Sequence, residues 1–443
     1  MALHWLFPVT VIAFLGPMVG YVNIVFNSTT RWLVLAALAT YLVHRGTLLL
    51  AFKSTVGPLL AASLYWTIVT TGWSEAPQLS LFKSLALVAV AVTLVSGGLH
   101  WSMTVRPGRV FAYMLPIAGL ALFAALWPGA TANVSNYGDT TIYSGLSGNP
   151  NALGILCAMG FIGVVAAIAQ APRTTQYRVA LWLVAGLLCL ISLWTKSRPS
   201  IVVMICTGIG VLIALRMVQQ ALLLVIAAWL AVVVSLAFPS LVTNIEDTYV
   251  RKGISREAGG ILHSRYDVWN ESYEQALKGG WIGGGYGVTI GEGLTSDVSV
   301  TAAGYGREKA NSQLAIVEET GWIGLFFYVL LVAALLRTLL RGLAAAGNVT
   351  TRTNLGIATG AVVGFLLHSF FEAWWVAPGA PEAPFFWGLV GVSVGLAGIE
   401  IGRLRERQHL QYADWLIRVA SGRHSGSNQT ESGPERNTRA PES

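Results

Sequence analysis

Apolar runs of membrane-spanning length recur along the chain, separated by short polar connectors. About twelve are found, at roughly 5–26, 32–52, 56–73, 79–99, 110–127, 151–170, 179–195, 199–216, 220–237, 314–336, 354–375 and 384–402. A bilayer core about 30 Å thick asks for ~20 apolar residues per helix. The pattern predicts an all-α polytopic bundle of about twelve transmembrane helices, in which each helix satisfies its own backbone groups. One stretch breaks the rhythm: 238–312 carries sixteen charged residues, about a third of the charged side chains in the protein. The expected organisation is nine spans over 1–237, a loop domain over 238–313, three spans over 314–402 and a tail over 403–443, with Arg403, Arg405 and Arg407 anchoring a surface helix over 404–419 and a disordered end.

Composition sharpens this reading. Hydrophobic residues make up 54% of the chain and charged ones 11%, against roughly a quarter charged in a soluble domain. The first apolar run lacks a basic leader and reads as a span rather than a cleaved signal. Cys157, Cys189 and Cys206 fall inside predicted spans, so neither a disulfide framework nor a cysteine metal site is expected, and no spacing suggests metal ligands or a cofactor. The net charge of +7 follows from topology rather than from a nucleic-acid partner. Arg45 and Lys53, Arg106 and Arg109, Arg173 and Arg178, Arg216, and Arg337, Arg341 and Arg352 occupy alternate connectors, whereas 72–78, 128–150 and 375–384 contain no Lys or Arg. The positive-inside bias then puts both termini in the cytoplasm and 238–312 outside.

Several polar segments on the expected outer side are candidates for chemistry. Ser147-Gly148-Asn149-Pro150-Asn151 reads either as a surface loop with an extended residue before proline or as amides lining a pocket. Thr195-Lys196-Ser197-Arg198-Pro199-Ser200 sets two cations against the orientation bias; the side chains either snorkel or Arg198 faces a bound anion. Ser264-Arg265-Tyr266-Asp267 has capping-box spacing with Asp for the usual Glu, and Trp269, Tyr273, Ala276 and Leu277 follow at helical spacing, predicting an amphipathic helix opening at Ser264. Arg265 in its first turn joins a region that favours anions, and its partner is a loop carboxylate or a bound phosphate. The glycine-rich 279–287 has no Lys-Ser or Lys-Thr after it, so it is a tight turn packed on the bundle rather than a nucleotide loop.

Arg307-Glu308-Lys309-Ala310-Asn311 leads into the tenth span. In one continuous helix Asn311 and Glu318 share a face while Glu319 points about 100° away, which makes Glu318 a pocket candidate or a solvated interfacial carboxylate. His368 and Glu372 sit at i, i+4 and pair on one face, in a functional or a structural role.

Together, the twelve-span layout, the large loop between spans nine and ten, Gly148-Asn149-Pro150-Asn151, Ser197-Arg198, Ser264-Arg265 before Trp269, and Asn311 with Glu318-Glu319-Thr320-Gly321 resemble the O-antigen ligase and polymerase superfamily over roughly residues 1–402. The resemblance implies a metal-independent glycosyltransferase of the bacterial inner membrane. Such an enzyme transfers glycan at the periplasmic face from an undecaprenyl-diphosphate donor to a glycan or lipid acceptor, among membrane lipids and polysaccharide-assembly proteins. It implies that Arg198 and Arg265 hold the diphosphate, with Lys196, Asn149, Asn151, Asn311, Arg307 and Asp267 around the substrate. Two guanidinium forks suit diphosphate oxygens and stabilise charge developing on the leaving group. Ligases of the superfamily tend to carry His at the position of Ala310. A carboxylate is therefore expected as the base, Glu318 first, then Asp267 or Glu257. Two other readings fit many spans with arginines at the membrane edge: a transporter or flippase of a lipid-linked or anionic solute, and a scaffold for a polysaccharide-export complex.

Overall fold

The computed structural model describes residues 5–128, 134–137, 140–172, 176–217, 219–220, 222–223, 226, 263–289, 309 and 311–420. Thirteen helices are described: α1 (Leu6–Leu15), α2 (Thr30–His44), α3 (Leu50–Lys53), α4 (Gly57–Val69), α5 (Pro77–Thr104), α6 (Leu115–Leu126), α7 (Pro150–Gln170), α8 (Gln176–Trp194), α9 (Arg198–Ala214), α10 (His263–Gly279), α11 (Ser312–Ala345), α12 (Val349–His368) and α13 (Glu382–Ala420). Among the described residues six helical stretches are long and apolar enough to cross a membrane: Pro77–Thr104, Pro107–Leu126, Pro150–Gln170, Gln176–Trp194, Ser312–Ala345 and Glu382–Ala413. The described residues form an all-α membrane protein with one small exception among them, a hairpin of β1 (Val134–Tyr137) and β2 (Thr140–Tyr143) within the 128–150 connector.

Several expected spans are shorter or broken for visible reasons. The first run stops at Leu15, where Gly16 and Pro17 follow; proline has no N–H to donate and its ring clashes with the preceding turn. The run at 32–52 divides into α2 and α3 around Gly46, whose φ of 65° lies in the left-handed region. Most of the ninth run, 220–237, lies outside the described residues.

Small residues set the packing distance between helices. Gly356, Gly360 and Gly364, four residues apart on α12, meet Gly210, Cys206 and Val203 of α9, and a Cβ on Gly360 would overlap the Cys206 carbonyl. Such close backbone approach replaces the hydrophobic drive that lipid does not supply. Gly98 of α5 and Gly391 of α13 approach the facing backbones in the same way, as do Gly160 and Gly163 of α7 against α6 and the turn before it. Residues 1–401 form one compact unit and 402–443 a second. In the second, the chain is helical to Ala420 and every side chain from 402 to 413 is exposed.

Gly360→Ala is expected to push α9 and α12 apart and to cost about 1–3 kcal/mol, whereas Gly186→Ala, with open space around it, is expected to be neutral or slightly stabilising. Thermal melts of the purified protein in detergent check this; equal melting temperatures would refute the close packing.

Candidate functional site

The tenth run is not one continuous helix. At Gly321 the backbone turns to φ 71°, ψ −176°, dividing α11 into two arms. The glycine-rich turn after α10 fills the break by exchanging backbone hydrogen bonds with it. The Gly284 and Gly285 amides donate to the carbonyls of Glu318 (2.9 Å) and Glu319 (3.0 Å), while the Trp322 and Ile323 amides donate to the carbonyls of Gly280 (3.1 Å) and Trp281 (3.2 Å). A Cβ on Gly321 would overlap the Trp281 carbonyl, and one on Gly283 the Glu319 backbone. Indole donors close the same knot, Trp66 Nε1 to the Thr320 carbonyl (2.8 Å) and Trp73 Nε1 to the Gly283 carbonyl (2.9 Å).

Both carboxylates beside the break are buried. Lys309 Nζ lies 2.7 Å from Glu319 Oε1 and 3.4 Å from Glu318 Oε1. Glu319 Oε2 accepts from the Gly287 amide at 2.7 Å, and Lys83 Nζ donates to the Gly287 carbonyl at 2.6 Å. Two half-buried lysines and two buried glutamates therefore form a cluster bridged by the backbone of Gly287. The adjoining cleft, lined by Ser63, Trp66, Tyr286, Tyr328 and Trp387, has a free volume of about 40 Å³, enough for a few waters and too small for a sugar.

A second group of polar residues gathers where α7, α9, α11 and the segment after α12 meet. Asn149 caps α7, accepting from the amides of Asn151 (2.8 Å) and Ala152 (3.3 Å), and Gly148 before it takes φ 65°; Pro150 then occupies the first turn, where its missing N–H costs nothing. Asn151 Nδ2 donates to Glu372 Oε1 at 3.2 Å. Asn311 caps α11 through Leu314 N (2.9 Å) and donates to the Phe370 carbonyl (3.1 Å), and Ser312 Oγ donates to the Glu372 carbonyl (2.7 Å). The 195–200 turn packs on the first turns of α7, where Gly154 leaves room for Ser197. The side chain of α10 residue Trp269 meets Phe371, their ring centroids 5.9 Å apart.

In that turn Arg198 is half-buried at the first position of α9, with Pro199 next. Lys196 is 8% exposed and holds a left-handed φ of 53°, a conformation that costs an L residue about 1 kcal/mol or more. Burial pulls its ammonium below the ordinary lysine value. Among the described residues Lys196 has no hydrogen bond or ion pair from its ammonium.

The site residues expected from the sequence thus divide. Asn149, Asn151, Asn311, Lys196 and Arg198 lie on adjoining segments, and Arg265 and Asp267 lie on α10 within its first two turns, their side chains outside the described residues; Arg307 and Glu257 lie outside them altogether. Glu318 is fully buried against Lys309. Glu319, expected to point about 100° away, is buried as well, because Lys309 reaches both carboxylates from beyond the helix start. The expected helical pairing of His368 with Glu372 does not hold as drawn: α12 ends at His368, whose Nδ1 accepts from Trp374 Nε1 at 3.0 Å. The buried face of α10 is also shifted. Ser272 and Ala276 pack inward while Tyr273 and Leu277 are exposed, since small side chains let α10 approach α11 closely. Lys83, Lys309 and Glu319 were not among the candidates; the available signal was the charge imbalance itself, because adjacent carboxylates within an apolar run require nearby cations.

Lys309→Met leaves two buried carboxylates without their cation and is expected to destabilise the protein by about 3–5 kcal/mol, more than Glu318→Gln, which removes one of them. Detergent melts of both variants check the order, and the reverse order would show that the cluster is not held by Lys309. Comparison of the chain with protein-family models and with curated proteins gives no match.

Proposed function

We propose that the protein is a membrane glycosyltransferase that takes glycan from a polyprenyl-diphosphate carrier, working at the outer face of a bacterial inner membrane with both termini in the cytoplasm and 238–313 on the outer side. The observation that carries the reading is Lys196. A lysine that is 8% exposed, in a left-handed backbone two positions from Arg198 and with no anionic partner among the described residues, suits an anionic ligand at the membrane edge. The placement of Asn151, Asn311 and Glu372 next to that turn, and of α10 beside Phe371, supports a shared site to which Arg265 contributes. The motif resemblance to the O-antigen ligase and polymerase superfamily supplies the reaction class and leaves polymerase and ligase as subtypes.

In this reading Arg198 and Arg265 bind diphosphate oxygens and stabilise the charge that develops as the glycosyl bond to the carrier breaks. Lys196 adds a point charge and Asn151 orients a carboxylate. A general base must reach the acceptor hydroxyl within hydrogen-bond distance. Glu318 is enclosed, so the half-buried Glu372, with the Asn151 amide on one oxygen, is the better placed carboxylate. A second reading, a transporter of a lipid-linked or anionic solute, draws support from the broken helix at Gly321, a feature of transporter sites; against it, the break is filled by the 279–285 backbone.

Arg265→Lys keeps charge but loses the fork, and is expected to lower glycan transfer at least tenfold; Glu372→Gln is expected to do the same, with Glu318→Gln affecting stability first. Gel profiles of surface glycan and lipid-linked intermediates from a deletion strain complemented with each variant check this. Intermediates stranded on the cytoplasmic face would favour the transporter, and full activity of Arg265→Lys would remove the bidentate diphosphate contact.

A further inference from the structure

Arg31 stands apart from the site just described. It lies in the first turn of α2, half-buried, with its guanidinium carbon 5.6 Å from the Phe14 ring centroid and 5.9 Å from that of Trp32. Nη1 donates to the Gly379 carbonyl, in the segment between α12 and α13, at 2.8 Å. That is the only hydrogen bond of this side chain among the described residues; Nε is buried without an acceptor, and among the described residues no carboxylate pairs with the charge. With Nη1 engaged, the parallel N–H groups of Nε and Nη2 are without an acceptor among the described residues. This edge matches two oxygens of one tetrahedral anion.

The surroundings say where such an anion would come from. In the connection preceding α2, Ile24 is 77% and Val25 63% exposed, and Leu33 on α2 is exposed as well. These side chains suit the acyl boundary of a bilayer, and Trp32 and Tyr21 suit its interfacial belt. A side chain at 379 would crowd this edge: the atoms nearest an added Cβ there are Nη2, at 3.3 Å, and the guanidinium carbon.

We propose that Arg31 is a binding site for the phosphate of a bilayer phospholipid, gripped by the Nε–Nη2 edge while Ile24, Val25 and Leu33 lie along its acyl chains. The site is distinct from the proposed diphosphate site in residues and in ligand, and it does not depend on glycan transfer. It ties the start of α2 to the loop that follows α12, and so makes the stability of the bundle depend on lipid phosphate.

The test uses full-length protein, delipidated in detergent and melted after adding phosphatidylglycerol, diacylglycerol with the same acyl chains, or inorganic phosphate. The expected result is a rise of several degrees with phosphatidylglycerol alone. Arg31→Met should lose at least half of that rise, and so should Gly379→Val, which crowds the fork and leaves the charge in place; Arg31→Lys should retain only part of it. An equal rise with diacylglycerol, or a full rise in both Arg31→Met and Gly379→Val, overturns the proposal, and inorganic phosphate matching the lipid overturns the lipid source. Should Arg31→Met not fold, native mass spectrometry of the wild type decides: phospholipid retained on the wild type and reduced on Gly379→Val supports the site, and equal retention overturns it.

Discussion

The exchange of four backbone hydrogen bonds between the glycine turn at 280–285 and the break at Gly321 is the constraint on which the arrangement around α11 depends. A helix interrupted within an apolar region exposes amides and carbonyls that lipid cannot satisfy, at several kcal/mol for each group left bare. Here the two carbonyls ahead of the break and the two amides after it all find partners in one short turn. Turn and break are thus mutually necessary. The requirement for glycine follows directly, because the strands of backbone approach so closely that a Cβ at 283 or 321 would occupy the partner's atoms.

The same break explains how two glutamates can lie adjacent in an apolar helix. Their carbonyls are tied to the turn and their carboxylates face Lys309, with the Gly287 peptide linking Glu319 to Lys83. Buried ion pairs gain little net stability over apolar packing but are costly to break once formed. The cluster therefore acts as a lock on the geometry of this region, joining α5, the turn after α10 and the start of α11. From this lock the chain runs through Asn311 and Ser312 to the carbonyls of Phe370 and Glu372, so the polar group proposed as the reaction site is anchored to a rigid element.

The cluster at the break sets two lysines against two glutamates, with Lys309 2.7 Å from Glu319 and 3.4 Å from Glu318, which is what a structural element needs. Lys196 and Arg198 lie in the tight turn between α8 and α9: Lys196 follows the C-terminus of α8 in a left-handed backbone, its amide donating to the Leu193 carbonyl at 3.0 Å, and Arg198 opens α9.

What was legible in the sequence is what depends on neighbours along the chain. Run length and hydropathy identified a helical membrane protein, because lipid forces each segment to satisfy its own backbone. The Asn149-Pro150 start of α7 could be read locally as an extended residue before proline, and the glycine turn at 279–287 as one packed on the bundle. The exact ends of the spans were less legible, since Gly16-Pro17 and Gly46 cut short runs that hydropathy alone carries through. Only the tertiary structure decided that α11 breaks at Gly321, that Lys309 answers both Glu318 and Glu319, that His368 turns to Trp374, and that Asn151 meets Glu372 across more than two hundred residues. These outcomes rest on backbone and charge partners supplied by distant segments, and no local period in a sequence encodes which distant group will arrive.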